Sequence, residues 1–192
     1  MSQIHESKVV LLGAASVGKT CIVTREISDF YDPEQTPTVG ASFSVKTITI
    51  GDITMNLRIW DTAGQERFRS LAPMYYQGSQ AAIIVFSIID SDSFEQAEYW
   101  INELKMHFTT PPALFLVGNK VDLADSRIIS AEQAERKAKE INATYFETSA
   151  KNGQNVSELF ECIADTLINH QEITETTDLE LTSSSKTKQK CC

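Results

Sequence analysis

The sequence predicts an α/β fold, a six-stranded, mostly parallel sheet with one antiparallel edge strand and helices on its flanks. Three observations carry this. Apolar runs of strand length recur, at Val9-Val10-Leu11-Leu12, Ala81-Ala82-Ile83-Ile84-Val85-Phe86 and Ala113-Leu114-Phe115-Leu116-Val117, and such runs suit parallel strands covered on both faces. Amphipathic stretches of helical period separate them. Two further runs, 43–50 and 53–60, flank Gly51-Asp52, a short-turn signal that supplies the antiparallel pair.

In chain order, residues 8–12 read as a buried strand and 19–27 as a helix. Residues 30–40 carry Pro33, Pro37 and Gly40 and form a loop long enough to suspect function. In the hairpin, Ile53, Met55, Leu57 and Ile59 alternate with Thr54, Asn56, Arg58 and Trp60, the period of a half-buried strand. A strand at 81–86, a helix at 93–108 and a strand at 113–117 follow. Residues 130–141 make a helix that Ser130 and Gln133 open as a capping box. A short strand at 144–146 and a helix at 155–170 complete the domain. Residues 1–5 read as a short flexible N-terminus, 6–170 as one domain, and 171–192 as a disordered tail rich in Thr, Ser, Glu and Lys.

The chain has 192 residues and a formal charge of -9, so it is one domain's worth with no basic field for nucleic acid. No apolar stretch reaches membrane-spanning length, and Met1-Ser2-Gln3-Ile4-His5 does not read as a signal peptide. Cys21, Cys162, Cys191 and Cys192 are not a disulfide framework, which makes the cytosol the expected compartment. His5, His107 and His170 lie outside every motif and read as ordinary residues.

Chemistry is concentrated in four segments, each after a strand. Gly13-Ala14-Ala15-Ser16-Val17-Gly18-Lys19-Thr20 fits the phosphate-binding loop pattern, in which inward N–H groups and a helix N-terminus meet phosphate oxygens. There Lys19 reaches the β- and γ-phosphates and Thr20 sits on Mg²⁺. The loop alone leaves adenine kinases and ATPases open. Trp60-Asp61-Thr62-Ala63-Gly64-Gln65-Glu66 offers Asp61 to the Mg²⁺ shell, the Gly64 N–H to a γ-phosphate, and Gln65 to the attacking water. Asn119-Lys120-Val121-Asp122 presents a carboxylate that can accept from both N1–H and the exocyclic amine of guanine, a donor pair adenine lacks. Thr148-Ser149-Ala150-Lys151 adds backbone N–H groups for guanine O6. Together they specify guanine.

With these motifs the chain resembles the Ras superfamily of small GTPases over residues 6–170, and within it the Rab branch. The segments carrying the second resemblance are Val39-Gly40-Ala41-Ser42-Phe43, Ile59-Trp60-Asp61-Thr62-Ala63-Gly64-Gln65-Glu66-Arg67-Phe68-Arg69 and Leu71-Ala72-Pro73-Met74-Tyr75-Tyr76. The last, with Gln77-Gly78-Ser79, is most similar to the early-endosomal Rabs. The resemblance implies the P-loop NTPase G domain, GTP or GDP with Mg²⁺, and slow intrinsic GTP hydrolysis stimulated by a GAP. It implies that Ala15, Ser16, Val17, Gly18, Lys19, Thr20 and Cys21 cradle the phosphates, and that Tyr31 and Asp32 lie near ribose and base. Thr38 matches the threonine that meets Mg²⁺ and the γ-phosphate only in the GTP state, so Thr20, Thr38 and Asp61 form the metal set. Gln65, Lys19 and Thr38 are the catalytic set.

Phe43, Trp60 and Tyr75 match the aromatic trio through which Rabs meet effectors, and Trp60 alternates away from the apolar face of its strand, which favours exposure. Cys191-Cys192 implies geranylgeranylation, and two lipids anchor stably where one is marginal. Implied partners are an exchange factor, a GAP, a GDP-dissociation inhibitor or escort protein, effectors and a membrane, with the G domain monomeric on the cytoplasmic face of early endosomes. Two other classes stay open. A non-hydrolysing GTP-binding adaptor is disfavoured by Gln65 and Thr38, and a P-loop kinase by the lack of a lid-like insertion.

Overall fold

The computed structural model describes residues 3–184. Six strands form one sheet in the order β2-β3-β1-β4-β5-β6: β1 Gln3–Gly13, β2 Ala41–Ile50, β3 Ile53–Thr62, β4 Ala81–Ser87, β5 Ala113–Asn119 and β6 Thr144–Thr148. β2 pairs antiparallel with β3, and every other ladder is parallel. Five α-helices accompany them: α1 Lys19–Ser28, α2 Ala72–Tyr76, α3 Ser91–His107, α4 Ala131–Glu140 and α5 Val156–Ser184. Two 3-10 segments, Glu66–Leu71 and Val121–Ser126, lie in the connections.

Alternation along the central strands divides the core in two. Val9, Leu11, Met55, Leu57, Ile83 and Val85 face α1 and α5 through Ile22, Val23, Leu159, Phe160 and Ile163. Val10, Leu12, Ala82, Ile84 and Phe86 face α2, α3 and α4 through Tyr76, Trp100, Ile101, Leu104 and Ala134. A parallel sheet needs such double cover, because both faces of its strands are apolar. The connection after β1 crosses one face by α1, and that after β3 crosses the other by α2. β1 and β3 are neighbours, so a crevice opens at their carboxyl ends, where open α/β sheets bind ligands.

The helix starts follow local chemistry. Ser130 Oγ accepts from the Gln133 N–H at 3.1 Å, the expected cap of α4. Asp90 Oδ1 accepts from the Ser93 N–H at 3.2 Å, which sets the start of α3 at Ser91 and not at 93.

Three sequence expectations are corrected. β1 extends back to Gln3, opposite Ile53, so residues 3–5 belong to the sheet; the whole length of β3 offers them ladder partners. β6 continues to Thr148. α5 runs past 170 to Ser184, where disorder was expected from 171 onward. No Gly or Pro occurs after Gly153, so nothing in the backbone stops the helix at 170. Lys186, Lys188, Lys190, Cys191 and Cys192 lie outside the described residues.

Candidate functional site

The four motif segments meet at the carboxyl ends of the strands around a cleft of about 430 Å³. Its walls include Ala15, Ser16, Gly18, Lys19, Thr20 and Cys21, then Tyr31, Asp32 and Thr38, then Gly64 and Gln65, and finally Asn119, Lys120, Asp122, Ala150 and Lys151. Three expected residues stand behind these walls. The Val17 side chain is buried, leaving its backbone to act; Ser149 is buried behind Asp122; and Asp61 is buried beneath Thr20.

The phosphate loop wraps the end of β1 and enters α1 at Gly18, whose φ is 98°. That left-handed conformation favours glycine. A Cβ there would also lie 2.3 Å from Asn119 Nδ2. No side chain caps α1, so its first N–H groups point into the cleft and suit an anion. Lys19 is 5 % exposed, and its ammonium donates to the Gly13 carbonyl at 2.9 Å and to that of Ala14 at 2.7 Å. Burial pulls its pKa down to about 8, against the opposing pull of Asp61.

A hydroxyl cluster lies beside the lysine. Thr20 Oγ1 is 2.6 Å from Thr38 Oγ1 and donates to Asp61 Oδ2 at 2.6 Å. Ser42 Oγ reaches the same oxygen at 3.5 Å. Burial raises the Asp61 carboxyl above its ordinary range, partly offset by the Thr20 bond and Lys19. Asp61 Oδ1 is buried with no hydrogen-bond partner among the described residues. A half-paired buried carboxylate bonded to the Thr20 hydroxyl, with the Thr38 hydroxyl adjoining that of Thr20, is a hard oxygen set with charge to spare. Mg²⁺ takes such sets, commonly one carboxylate with substrate phosphates completing its shell. The residues fit the ion.

Two loops close over this cluster. The Ala63 N–H donates to the Gly40 carbonyl at 2.8 Å, joining the loop that holds Thr38 to the one that holds Gln65. A Cβ on Gly64 would fall 2.3 Å from the Ala14 carbonyl oxygen, so only glycine lets these segments approach so closely.

At the far end Asn119 organises the loops. It is 2 % exposed; its Nδ2 donates to the Val17 carbonyl at 2.8 Å. Its Oδ1 accepts from Thr148 Oγ1 and from the Ala150 N–H, both at 3.2 Å. Ser149 Oγ donates to Asp122 Oδ1 at 2.6 Å, which orients the carboxylate at the wall.

The aromatic trio is contiguous but only partly open. Ring centroids of Phe43 and Trp60 are 5.3 Å apart, and those of Trp60 and Tyr75 are 5.9 Å apart. Phe43 is 51 % exposed, whereas Trp60 is half-buried, which corrects the expectation of an exposed tryptophan. The Lys8 ammonium covers it, 5.3 Å from the ring centroid, while donating to the Gln77 carbonyl at 2.8 Å. Strand alternation gave the direction of Trp60 correctly but carried no sign of the chain that packs upon it.

Sequence reasoning passed over Lys8, Ser42, the two short 3-10 segments and Arg25. Arg25 donates to the carbonyls of Ala150 and Lys151. Lys8 and Arg25 belong to no motif and are placed by tertiary contact; Ser42 and parts of both 3-10 segments lie within motif segments, where the motifs assigned them no role of their own.

The profile of the Ras family matches residues 8–169. Ras-related protein Rab-31 from Rattus norvegicus and its counterparts from Mus musculus and Homo sapiens are each 48 % identical over 164 residues, covering 85 % of this chain and 84 % of theirs. The sheet order, the phosphate loop and the guanine-type base loops accord with that similarity. The chain therefore belongs to the Ras family as a Rab-type small GTPase, a P-loop NTPase that takes GTP or GDP with Mg²⁺ and hydrolyses GTP.

Proposed function

We propose that this GTPase is a vesicle-trafficking switch on the cytoplasmic face of endocytic membranes, with the early endosome as its station. The observation that carries the switch reading is the single cluster formed by Thr20, Thr38 and Asp61, joined to the Gln65 loop through Ala63 and Gly40. Contacts from both loops then converge where a γ-phosphate would lie, and losing that group releases both.

Ala15, Ser16, Val17 and Gly18 offer backbone N–H groups to the phosphates, with Thr20 and Cys21 at the start of α1. Lys19, whose ammonium is held by the Gly13 and Ala14 carbonyls, would reach the β- and γ-phosphates. Thr20 and Thr38 would hold Mg²⁺ by their hydroxyls, with Asp61 behind them. Bound there, the ion would supply neutralisation of phosphate charge. Gln65 stands at the cleft wall to orient the attacking water, and the Gly64 N–H meets the γ-phosphate. Asp122 reads the base edge, Asn119 and Lys120 brace it, and Ser149, Ala150 and Lys151 close over O6. Tyr31 and Asp32 border the base and ribose. An arginine from a GAP completes the charge stabilisation, a contribution of about 10³–10⁵ in rate in such enzymes.

Phe43, Trp60 and Tyr75 form the effector surface, for their backbones belong to the segments that Thr38 and Gly64 tether. An exchange factor, a GAP and a GDP-dissociation inhibitor or escort protein are the other partners, with geranylgeranyl groups on Cys191 and Cys192 as the membrane anchor. The similarity to Rab-31 supports a Rab trafficking role, and the resemblance of the segment Leu71-Ala72-Pro73-Met74-Tyr75-Tyr76 to the early-endosomal Rabs supports the endocytic reading.

The test is imaging of the tagged full chain as Gln65→Leu and as Thr20→Asn, paired with single-turnover GTP hydrolysis. The first should collect on early endosomes and hydrolyse GTP slowly even with a GAP; the second should disperse. Gln65→Leu on another organelle would reject the endosomal station. Normal GAP-stimulated hydrolysis would remove Gln65 from the chemistry.

A further inference from the structure

Arg25, in the last turn of α1, is held more completely than its place near the surface requires. Nε donates to the Ala150 carbonyl at 3.0 Å and Nη2 to the Lys151 carbonyl at 2.7 Å. Nη1 donates to the carbonyl and to Oδ1 of Asp29, both at 2.9 Å. A basic residue at a helix C-terminus ordinarily gains a modest dipole interaction with its head in water. Here the planar fork engages backbone from two separate segments, and the side chain is only 16 % exposed.

Planarity of the peptide bond turns those contacts into a directional constraint. With the Ala150 carbonyl turned to Arg25, the Lys151 N–H in the same trans peptide must point the opposite way. Fixing the Lys151 carbonyl likewise aims the Asn152 N–H, which donates to Ser149 Oγ at 3.2 Å. That hydroxyl in turn donates to Asp122 Oδ1. The Ser149 carbonyl accepts from the Gly153 N–H at 2.8 Å, so the Ala150 N–H is held to the inner side, where Asn119 Oδ1 meets it. Ala150 and Lys151 line the cleft beside Asp122.

We propose that Arg25 is a positioning residue for the purine base: by gripping the outer carbonyl of Ala150 it turns the Lys151 N–H toward the base's O6 edge, by gripping that of Lys151 it holds the Asn152–Ser149–Asp122 chain, and so it slows nucleotide release. This rests on the base-site reading given above. The same guanidinium holds Asp29, which has φ 50° and caps α1 where the chain departs for Tyr31, Asp32 and Thr38. The base loop and the root of that loop thus share one anchor.

The experiment compares release of GDP with release of 2-aminopurine riboside diphosphate, which keeps the exocyclic amine but lacks O6 and, with it, the N1–H. Both carry a ribose fluorophore and are bound to the full chain with Mg²⁺. Arg25→Gln should speed GDP release about tenfold, the scale of one charge-assisted hydrogen bond lost, while changing release of the analogue less than about twofold. Arg25→Lys keeps the charge and stem but not the fork; it should show the same selectivity at about threefold, and it decides the matter if the glutamine variant does not fold. Equal acceleration of both nucleotides would make Arg25 a general structural brace and overturn the proposal, as would no acceleration. Should the unaltered protein release GDP no more slowly than the analogue, the O6 contact itself is absent. The base-site reading then falls, and the proposal with it.

Discussion

Asn119 donates from its carboxamide to the carbonyl of Val17 across 2.8 Å, and this one bond ties the base-reading end of the cleft to the phosphate loop. The other end of the amide accepts from Thr148 and Ala150, so three segments share a single buried side chain. Asn119→Ala should therefore loosen both halves of the site at once. Leaving buried polar partners unpaired costs about 1–3 kcal/mol, which should show as a lower melting temperature and GDP release faster by about tenfold or more. Unchanged release would separate the two loops energetically.

Asp122 supplies the choice of base. Its carboxylate, oriented by Ser149 at 2.6 Å, can accept from two guanine donors. Asp122→Asn keeps shape and volume but offers an amide, which pairs with a carbonyl at that edge of the purine. Preference should move from guanine toward xanthine nucleotide by a factor on the order of 10². Competition binding with the two diphosphates measures it, and undiminished guanine affinity would take Asp122 out of the base site.

Lys19 makes binding pH-dependent. Burial lowers its pKa from 10.5 to about 8 in the open cleft, and phosphate favours the charged form, so the bound lysine titrates higher. Nucleotide binding should take up protons above the free-state pKa, and affinity should fall as pH rises through about 8. For folding of the nucleotide-free protein the sign is opposite. Between about 8 and 10.5 the unfolded chain holds the proton more tightly, so this group's contribution to stability rises with pH across that window. Calorimetry at about pH 8.5 in buffers of different protonation enthalpy reads the uptake directly. Identical heats in both buffers would mean that Lys19 stays charged.

The terminal cysteines make a prediction independent of the cleft. Deleting Cys191-Cys192 should leave the protein in the cytosolic fraction with nucleotide binding intact, since two lipid chains are what stable attachment needs. Membrane recovery of the truncated chain at the level of the full one would point to another anchor.

Much of this architecture was legible because the relevant signals are local. The runs at Val9 and Ala81 announce strands covered on both faces, and Gly51-Asp52 announces the hairpin. The phosphate loop and Asn119-Lys120-Val121-Asp122 keep their chemistry in short stretches, so the cleft could be assembled before its geometry was known. What escaped is long-range. Nothing near Arg25 in the chain signals Ala150, and nothing near Lys8 signals Trp60 or Gln77, because those contacts exist only once α1 and α2 have packed. The continuation of α5 past 170 was missed for the opposite reason. Polar composition argued for disorder, while the lack of Gly or Pro after Gly153 left the helix free to run to Ser184.

The most direct test of the central claim is the identity of the nucleotide the chain carries. Purified with Mg²⁺, denatured and resolved by chromatography, it should release guanine nucleotide at about one per chain, predominantly GDP if bound GTP is turned over. Adenine nucleotide in that fraction, or none under conditions that retain tight ligands, would contradict the account.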